Sequence, residues 1–250
     1  MFFFVISLNA IASDTLKLTS FNIRLSSVDD GINNWNLRKP LLKEYLERKR
    51  PDVLGVQEAL PNQMSYLDSI PGYDYVGVGR DNGMTLEEYS AIFYNSYKLD
   101  VKESGTFWLS ETSNKPTMGW DAVCMRICTW ARFKDKSNKE FYVFNTHFDH
   151  MGVKARTESA RLIMSKIALV APGFPVFLSG DFNTEDGSFP IEIIKDFMID
   201  SREAAIEKDR SDGKSFNGFI EDKPAAIKID FIFIRPNITT LSFQTNQEKP

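Results

Sequence analysis

The chain has 250 residues, a formal charge of −4 and a pI near 5.4. Its hydrophobic content of 42% and aromatic content of 13% exclude a disordered polymer and can fill the core of one large domain or two small ones. The acidic balance speaks against tight, non-specific gripping of long nucleic acid, which calls for a basic surface, and leaves small or flexible phosphoesters as compatible ligands.

The first twelve residues carry no charged side chain and read MFFFVISLNAIA. Residues 2–8 resemble the apolar core of a signal peptide, and Ala10-Ile11-Ala12 matches a small-x-small cleavage pattern, although the usual basic flank is absent. The expectation is a leader over residues 1–12 and a periplasmic or secreted domain over residues 13–250; the other reading of the run is a first β-strand. No other segment approaches the roughly 20 apolar residues of a membrane span. No stable membrane insertion is therefore expected once the leader is gone.

Strand-like runs follow at residues 16–25, 53–57, 90–94, 126–133, 141–147, 176–179 and 227–234. Between them, Leu37, Leu41, Leu42, Tyr45 and Leu46 mark one helical stripe, with Pro40 tolerable in the first turn. Ala160, Ile163, Met164, Ile167 and Val170 mark another, stopped by Pro172 and Gly173. Cys124 and Cys128 fall in one strand-like stretch, too far apart for a disulfide, and are expected as free thiols. The pattern predicts one α/β domain whose central strands follow one another without helices, so the sheet is not purely parallel.

Polar residues cluster where these apolar strands end. Period-two counting places Leu16, Leu18, Ser20 and Asn22 on one face, and Leu54, Val56 and then Glu58 on another. The same counting groups Phe141, Val143, Asn145, His147 and Asp149, and Phe177, Ser179, Asp181 and Asn183. Asp230 sits inside a nearly apolar strand, where a lone carboxylate is costly without a cation or hydrogen bonds. Lys228 is expected to point away from it. Taken singly, each residue has an ordinary reading: Glu58 as a solvated strand end, His147 as a structural histidine, Asp181 as a turn residue, Asn22 as a cap. Trp108, Trp120 and Trp130 read as core or rim packing.

In combination, the segments TSFNIR, GVQEAL, GVGRDNG, SAIFY, GTFWLSE, GWDAVCMRICTWA, NTHFDH, SGDFN and IDFIF resemble, in order, the endonuclease/exonuclease/phosphatase superfamily and its bacterial secreted members. The resemblance implies a four-layer α/β/β/α sandwich, two mixed sheets face to face with helices outside. It implies phosphate-ester hydrolysis by metal-activated water. Glu58, with Asn22, would hold Mg²⁺, with Mn²⁺ as a possible substitute. His147 would contact the scissile phosphate, Asp181 would orient or deprotonate water, and Asn183 would hold phosphate. Asp230 would orient a histidine of a later Ser-Asp-His segment. Asn22, Arg24, Arg126 and Asp149 would meet substrate. The substrate could be a nucleic acid, nucleotide, sugar or inositol phosphate, or phospholipid headgroup, and a monomer is expected. The residue types suit the chemistry, because Mg²⁺ favours hard oxygen donors and a carboxylate near water can act as base. His147 and His150 are the only histidines, and no Ser-Asp-His follows IDFIF. The domain is therefore expected to lack its closing C-terminal strand. The alternative is a catalytically impaired protein of the same fold that binds a phosphate ligand.

Overall fold

The structure, a computed structural model, describes residues 2–7 (backbone only), 15–209, 211–220 and 224–245. In chain order come β1 (Phe2–Ser7), β2 (Thr15–Asn22), a 3-10 turn (Gly31–Asn33), α1 (Trp35–Lys49), β3 (Val53–Gln57), α2 (Pro61–Asp68), β4 (Tyr73–Val76) and β5 (Ile92–Asn95). Then follow β6 (Leu99–Trp108), β7 (Ile127–Asp135), β8 (Glu140–His147), α3 (Val153–Val170), β9 (Val176–Asp181) and α4 (Phe189–Lys195). Last come β10 (Ile199–Asp200), α5 (Ser201–Ala204), β11 (Glu207–Lys208), β12 (Asp230–Ile234) and β13 (Ser242–Thr245).

The strands form two mixed sheets, ordered β11-β13-β1-β2-β3-β5-β4 and β10-β12-β9-β8-β7-β6. Parallel pairs are β2–β3 and β11–β13 in the first sheet and β8–β9 in the second. Three apolar clusters separate four layers. Leu18, Val53, Ile92, Phe133, Val143, Phe177 and Ile232 fill the space between the sheets. Trp35, Leu42, Leu46, Met64 and Leu67 seat α1 and α2 on Leu54, Val56 and Phe93. Ala160, Ile163, Met164, Ile167, Ile191 and Ile194 seat α3 and α4 on Phe144, Leu178 and Phe231. The expected sandwich is thus the observed fold.

Some local expectations need correction. In α1 the buried stripe is Trp35, Leu42 and Leu46, while Leu37 and Leu41 are exposed. The cysteines are free, as expected, but Cys124 precedes β7 instead of lying in it. Lys228 pairs with buried Asp200 and lies over the Phe231 ring. Of the expected leader, residues 2–7 lie as β1, antiparallel to both β2 and β13; Met1 and residues 8–12 are outside the described residues. The tail contributes β13, and residues 246–250 are likewise outside them.

The sheets approach closely beneath the strand ends that matter. A Cβ on Gly55 would come within 2.6 Å of Asn145 Oδ1 and 2.7 Å of Ser179 Oγ. Asn145 ties the sheets together: its amide nitrogen donates to the carbonyls of Val56 and Ala91, and its oxygen accepts from Gln57 Nε2 at 2.7 Å. These groups are fully buried; Asn145 is satisfied within the network, while Gln57 Oε1 is left without a partner.

Candidate active site

Five strands end at one rim. Register places Asp230 opposite Asp181, and Asp181 opposite His147, in a row across β12, β9 and β8. Asn22 ends β2 in the facing sheet, beside Gln57 of β3. Glu58 follows Gln57 with φ 60°. Period-two counting would have sent it toward the helices with Leu54 and Val56; the left-handed backbone turns it to the cleft instead. Asn22, Arg24, Glu58, Arg126, His147, Asp181, Asn183 and Asp230 line one cleft of about 510 Å³.

One wall is acidic. Asn22 Nδ2 donates to Glu58 Oε1 at 2.8 Å and to Asp181 Oδ2 at 3.0 Å, bridging the sheets. Glu58 Oε2 accepts from the Leu25 amide at 3.1 Å, and Asn22 Oδ1 from the Arg24 amide at 3.0 Å. Among the described residues, no lysine or arginine forms an ion pair with Glu58, Asp181 or Asp230. Burial, followed by the facing Asp230 carboxylate, pushes Asp181 up to about 8. Burial also pushes Asp230 up to about 6, against the hydrogen bond from Ser215. Crowded carboxylates call for positive charge. Their oxygens suit a hard divalent cation, while Asn22 turns its amide nitrogen, a donor, toward them and its oxygen toward the Arg24 amide.

The other wall is cationic and centres on Glu88. One oxygen of Glu88 lies 2.8 Å from Arg80 Nη1, 3.9 Å from Arg126 Nη1 and 4.0 Å from His147 Nδ1. Burial raises the Glu88 pKa, and the two arginines oppose that rise. Burial, then Arg126 and Arg80, hold His147 well below its usual value, so its imidazole is neutral. Asn183 Nδ2 donates to the Phe148 carbonyl at 3.0 Å and lies 2.9 Å from His147 Nε2. With Nδ2 acting as donor to both, Nε2 accepts and the ring proton sits on Nδ1, which has no hydrogen-bond partner. Arg80 and Glu88 were not singled out in the sequence. The signal was present as opposite charges at the two ends of a loop whose backbone closes on itself, Arg80 N–H donating to Glu88 O at 3.1 Å.

Two residues expected at the substrate sit differently. Asp149 is 1% exposed and is not part of the cleft lining. Burial would raise its pKa, but the amides of Gly152, Met151 and Val123, with Arg126, hold it low. It positions the loop around Arg126, 3.8 Å away. Arg24 does line the cleft, yet Asp30 binds its guanidinium at 3.1 and 3.2 Å. Cys124, Asp149 and His150 also cluster, with potential ligand atoms within 4.8 Å of one another. Arg126 Nη2 stands 3.1 Å from His150 Nδ1, placing positive charge where a metal would go. That cluster is a brace for the arginine.

The geometry agrees with the comparisons. The family model described as the Endonuclease/Exonuclease/phosphatase family matches residues 19–250. The chain belongs to that family. A Bacteroides vulgatus structure described as an endonuclease/exonuclease/phosphatase is 42% identical, with a TM-score of 0.88 over 92% of this chain and 91% of that one. A second family fold, the Bacteroides thetaiotaomicron mannosyl-6-phosphatase, is 37% identical, with a TM-score of 0.86 over 91% and 88%. The uncharacterized protein L388 of Acanthamoeba polyphaga mimivirus is 30% identical over 166 residues, 62% of each chain. This chain therefore spans less than two thirds of that relative's length.

Proposed function

We propose that the chain is a metal-dependent phosphoric ester hydrolase acting on small phosphomonoesters. The observation carrying this reading is the meeting of an acidic wall (Glu58, Asp181, Asp230) with a basic one (Arg80, Arg126) in one cleft. Its volume of about 510 Å³ falls within the roughly 300–1,000 Å³ of small-molecule sites. The acidic net charge and the name of the 37% identical mannosyl-6-phosphatase also favour a small phosphate ester over a polymer.

Glu58, with Asp181 beside it, would hold Mg²⁺, with Mn²⁺ as substitute; Asn22, expected as a ligand too, would serve there only with its amide turned over, since its nitrogen now bridges the two carboxylates. The cation would neutralise phosphate charge and acidify water. Asp181, fixed by the Asn183 amide at 2.9 Å, orients the attacking water and takes its proton. His147 stays neutral beside the phosphate site, with its Nδ1 buried 4.0 Å from Glu88. Arg126, held by Glu88 and Asp149, supplies fixed positive charge for the transition state. Asn183 keeps the His147 ring in its tautomer.

The test is hydrolysis of sugar phosphates, inositol phosphates, nucleotides, oligonucleotides and sphingomyelin, each with Mg²⁺, Mn²⁺ or EDTA. Turnover confined to small monoesters and abolished by EDTA is expected. Metal-independent turnover, or turnover of polymers alone, would sink the proposal. One observation favours a second reading, an impaired phosphate-binding protein: Asp230 faces Asp181 and has no imidazole partner. Tight phosphate binding with no turnover of any ester would select it. Export through residues 1–12 and a monomeric state complete the proposal.

A further inference from the structure

Residues 215–219 form the part of the cleft wall next to Asp230. Ser215 Oγ accepts from the amides of Ile229 and Asp230, each at 3.2 Å. Phe216 makes an antiparallel bridge with Ile227, its N–H donating to the Ile227 carbonyl at 3.1 Å and its carbonyl accepting from Ala226 at 2.9 Å. The two aromatic residues of this wall differ. The guanidiniums of Arg24 and Arg38 lie over the Phe219 ring, 5.6 and 5.0 Å from its centroid. Phe216 is 45% exposed, lines the cleft and is fixed by its backbone one residue from the hydroxyl that touches the Asp230 amide. An apolar ring carried on a hydrogen-bonded backbone and open to solvent at the mouth of a polar cleft is a ready contact for ligand.

We propose that Phe216 is the specificity-determining platform for the alcohol half of the substrate, and that this alcohol is a pyranose. The inference rests on the phosphomonoesterase reading. A pyranose has an apolar C–H face to lie on one aromatic ring and hydroxyls at its edges for polar neighbours. Beyond Phe216 the wall is polar, with Asn217 and the Arg24–Asp30 pair close by. A nucleobase has two apolar faces and gains most from a second one to stack on. Among the described lining residues no other phenylalanine, tyrosine or tryptophan is exposed to a comparable degree, and the exposed His150 imidazole is engaged by Arg126 at 3.1 Å.

Steady-state kinetics of the full chain on hexose 6-phosphate, a nucleoside 5′-monophosphate and glycerol phosphate test this. Phe216→Ala should lower kcat/KM for the hexose phosphate about tenfold, mainly through KM, the scale expected on losing a stacked ring. Glycerol phosphate turnover should be unchanged, and Phe216→Trp should retain hexose phosphate activity. Unchanged hexose phosphate kinetics, or an equal loss on all three esters, overturns the proposal. A loss selective for the nucleotide overturns the pyranose assignment. If no ester is turned over, the phosphomonoesterase reading fails by itself. Calorimetric binding of hexose 6-phosphate then decides the platform: about tenfold weaker binding by Phe216→Ala supports it, and equal or absent binding rejects it.

Discussion

Asp181 and Asp230 face each other across neighbouring strands with their pKa values pushed up to about 8 and about 6. In the unfolded chain both would titrate near 4. Between those limits the folded, metal-free protein holds protons that the unfolded chain has released, so its stability falls as pH rises from about 4 to about 8. Thermal midpoints without divalent cation should therefore decline over that window, and added Mg²⁺ should flatten the decline. A midpoint that climbs with pH would contradict the geometry. Asp181→Asn should retain much of the cation affinity because Glu58 remains, yet lower kcat by about 10²–10⁴. Glu58→Ala should lose both. Calorimetric titration with Mg²⁺ beside rate measurements distinguishes these outcomes, and equal affinity losses would show the roles wrongly divided. At this scale the sequence was legible where a polar residue ended an apolar strand, as at His147 and Asp181. It was less so for Arg80 and Glu88, whose function is visible only once a loop brings their charges together.

The strands declared themselves through β-branched and aromatic runs, and β3 runs over the residues expected of it. Counting by two also placed Asn22 and Asp181 on the faces that lead to the cleft, and the cost of a buried carboxylate singled out Asp230. The counting failed at Glu58, because a left-handed residue breaks the alternation and nothing in GVQEAL marks φ 60°. In α1 the helical stripe misses in its first turns, where Leu37 and Leu41 are exposed and Trp35, outside that stripe, is buried. Likewise α2 and β4, unforeseen, are short and depend on tertiary packing for their stability. Beneath the site, Asn145 of β8 is joined to Val56 of β3 and to Ala91, the residue before β5. Asn145→Ala should cost about 2–3 kcal/mol, since it strands buried hydrogen-bonding groups on the opposite sheet. Urea unfolding would measure this, and a loss below 0.5 kcal/mol, within the usual range for surface changes, would show that the network is not a sheet-to-sheet tie.

Whole-molecule architecture followed from the order of the motifs, whereas the N-terminal segment divides fold from destination. As β1 it lies between β2 and β13, which pair with it and not with each other. Export would remove it. Mass spectrometry of protein from its native host should find the mature chain starting after Ala12, and an intact cytoplasmic chain from Met1 would refute export. Size exclusion should give one protomer of 28.6 kDa before processing; a dimer would remove the monomer from the proposal. The placement of unusual backbone has a wider consequence. Eight non-glycine residues among those described have positive φ, and four of them, Arg24, Glu58, Asn183 and Phe219, line the cleft. Each such conformation costs on the order of 1 kcal/mol or more, which glycine would relieve. Heat-selected laboratory evolution would therefore tend to collect glycine at the rim and trade turnover for endurance.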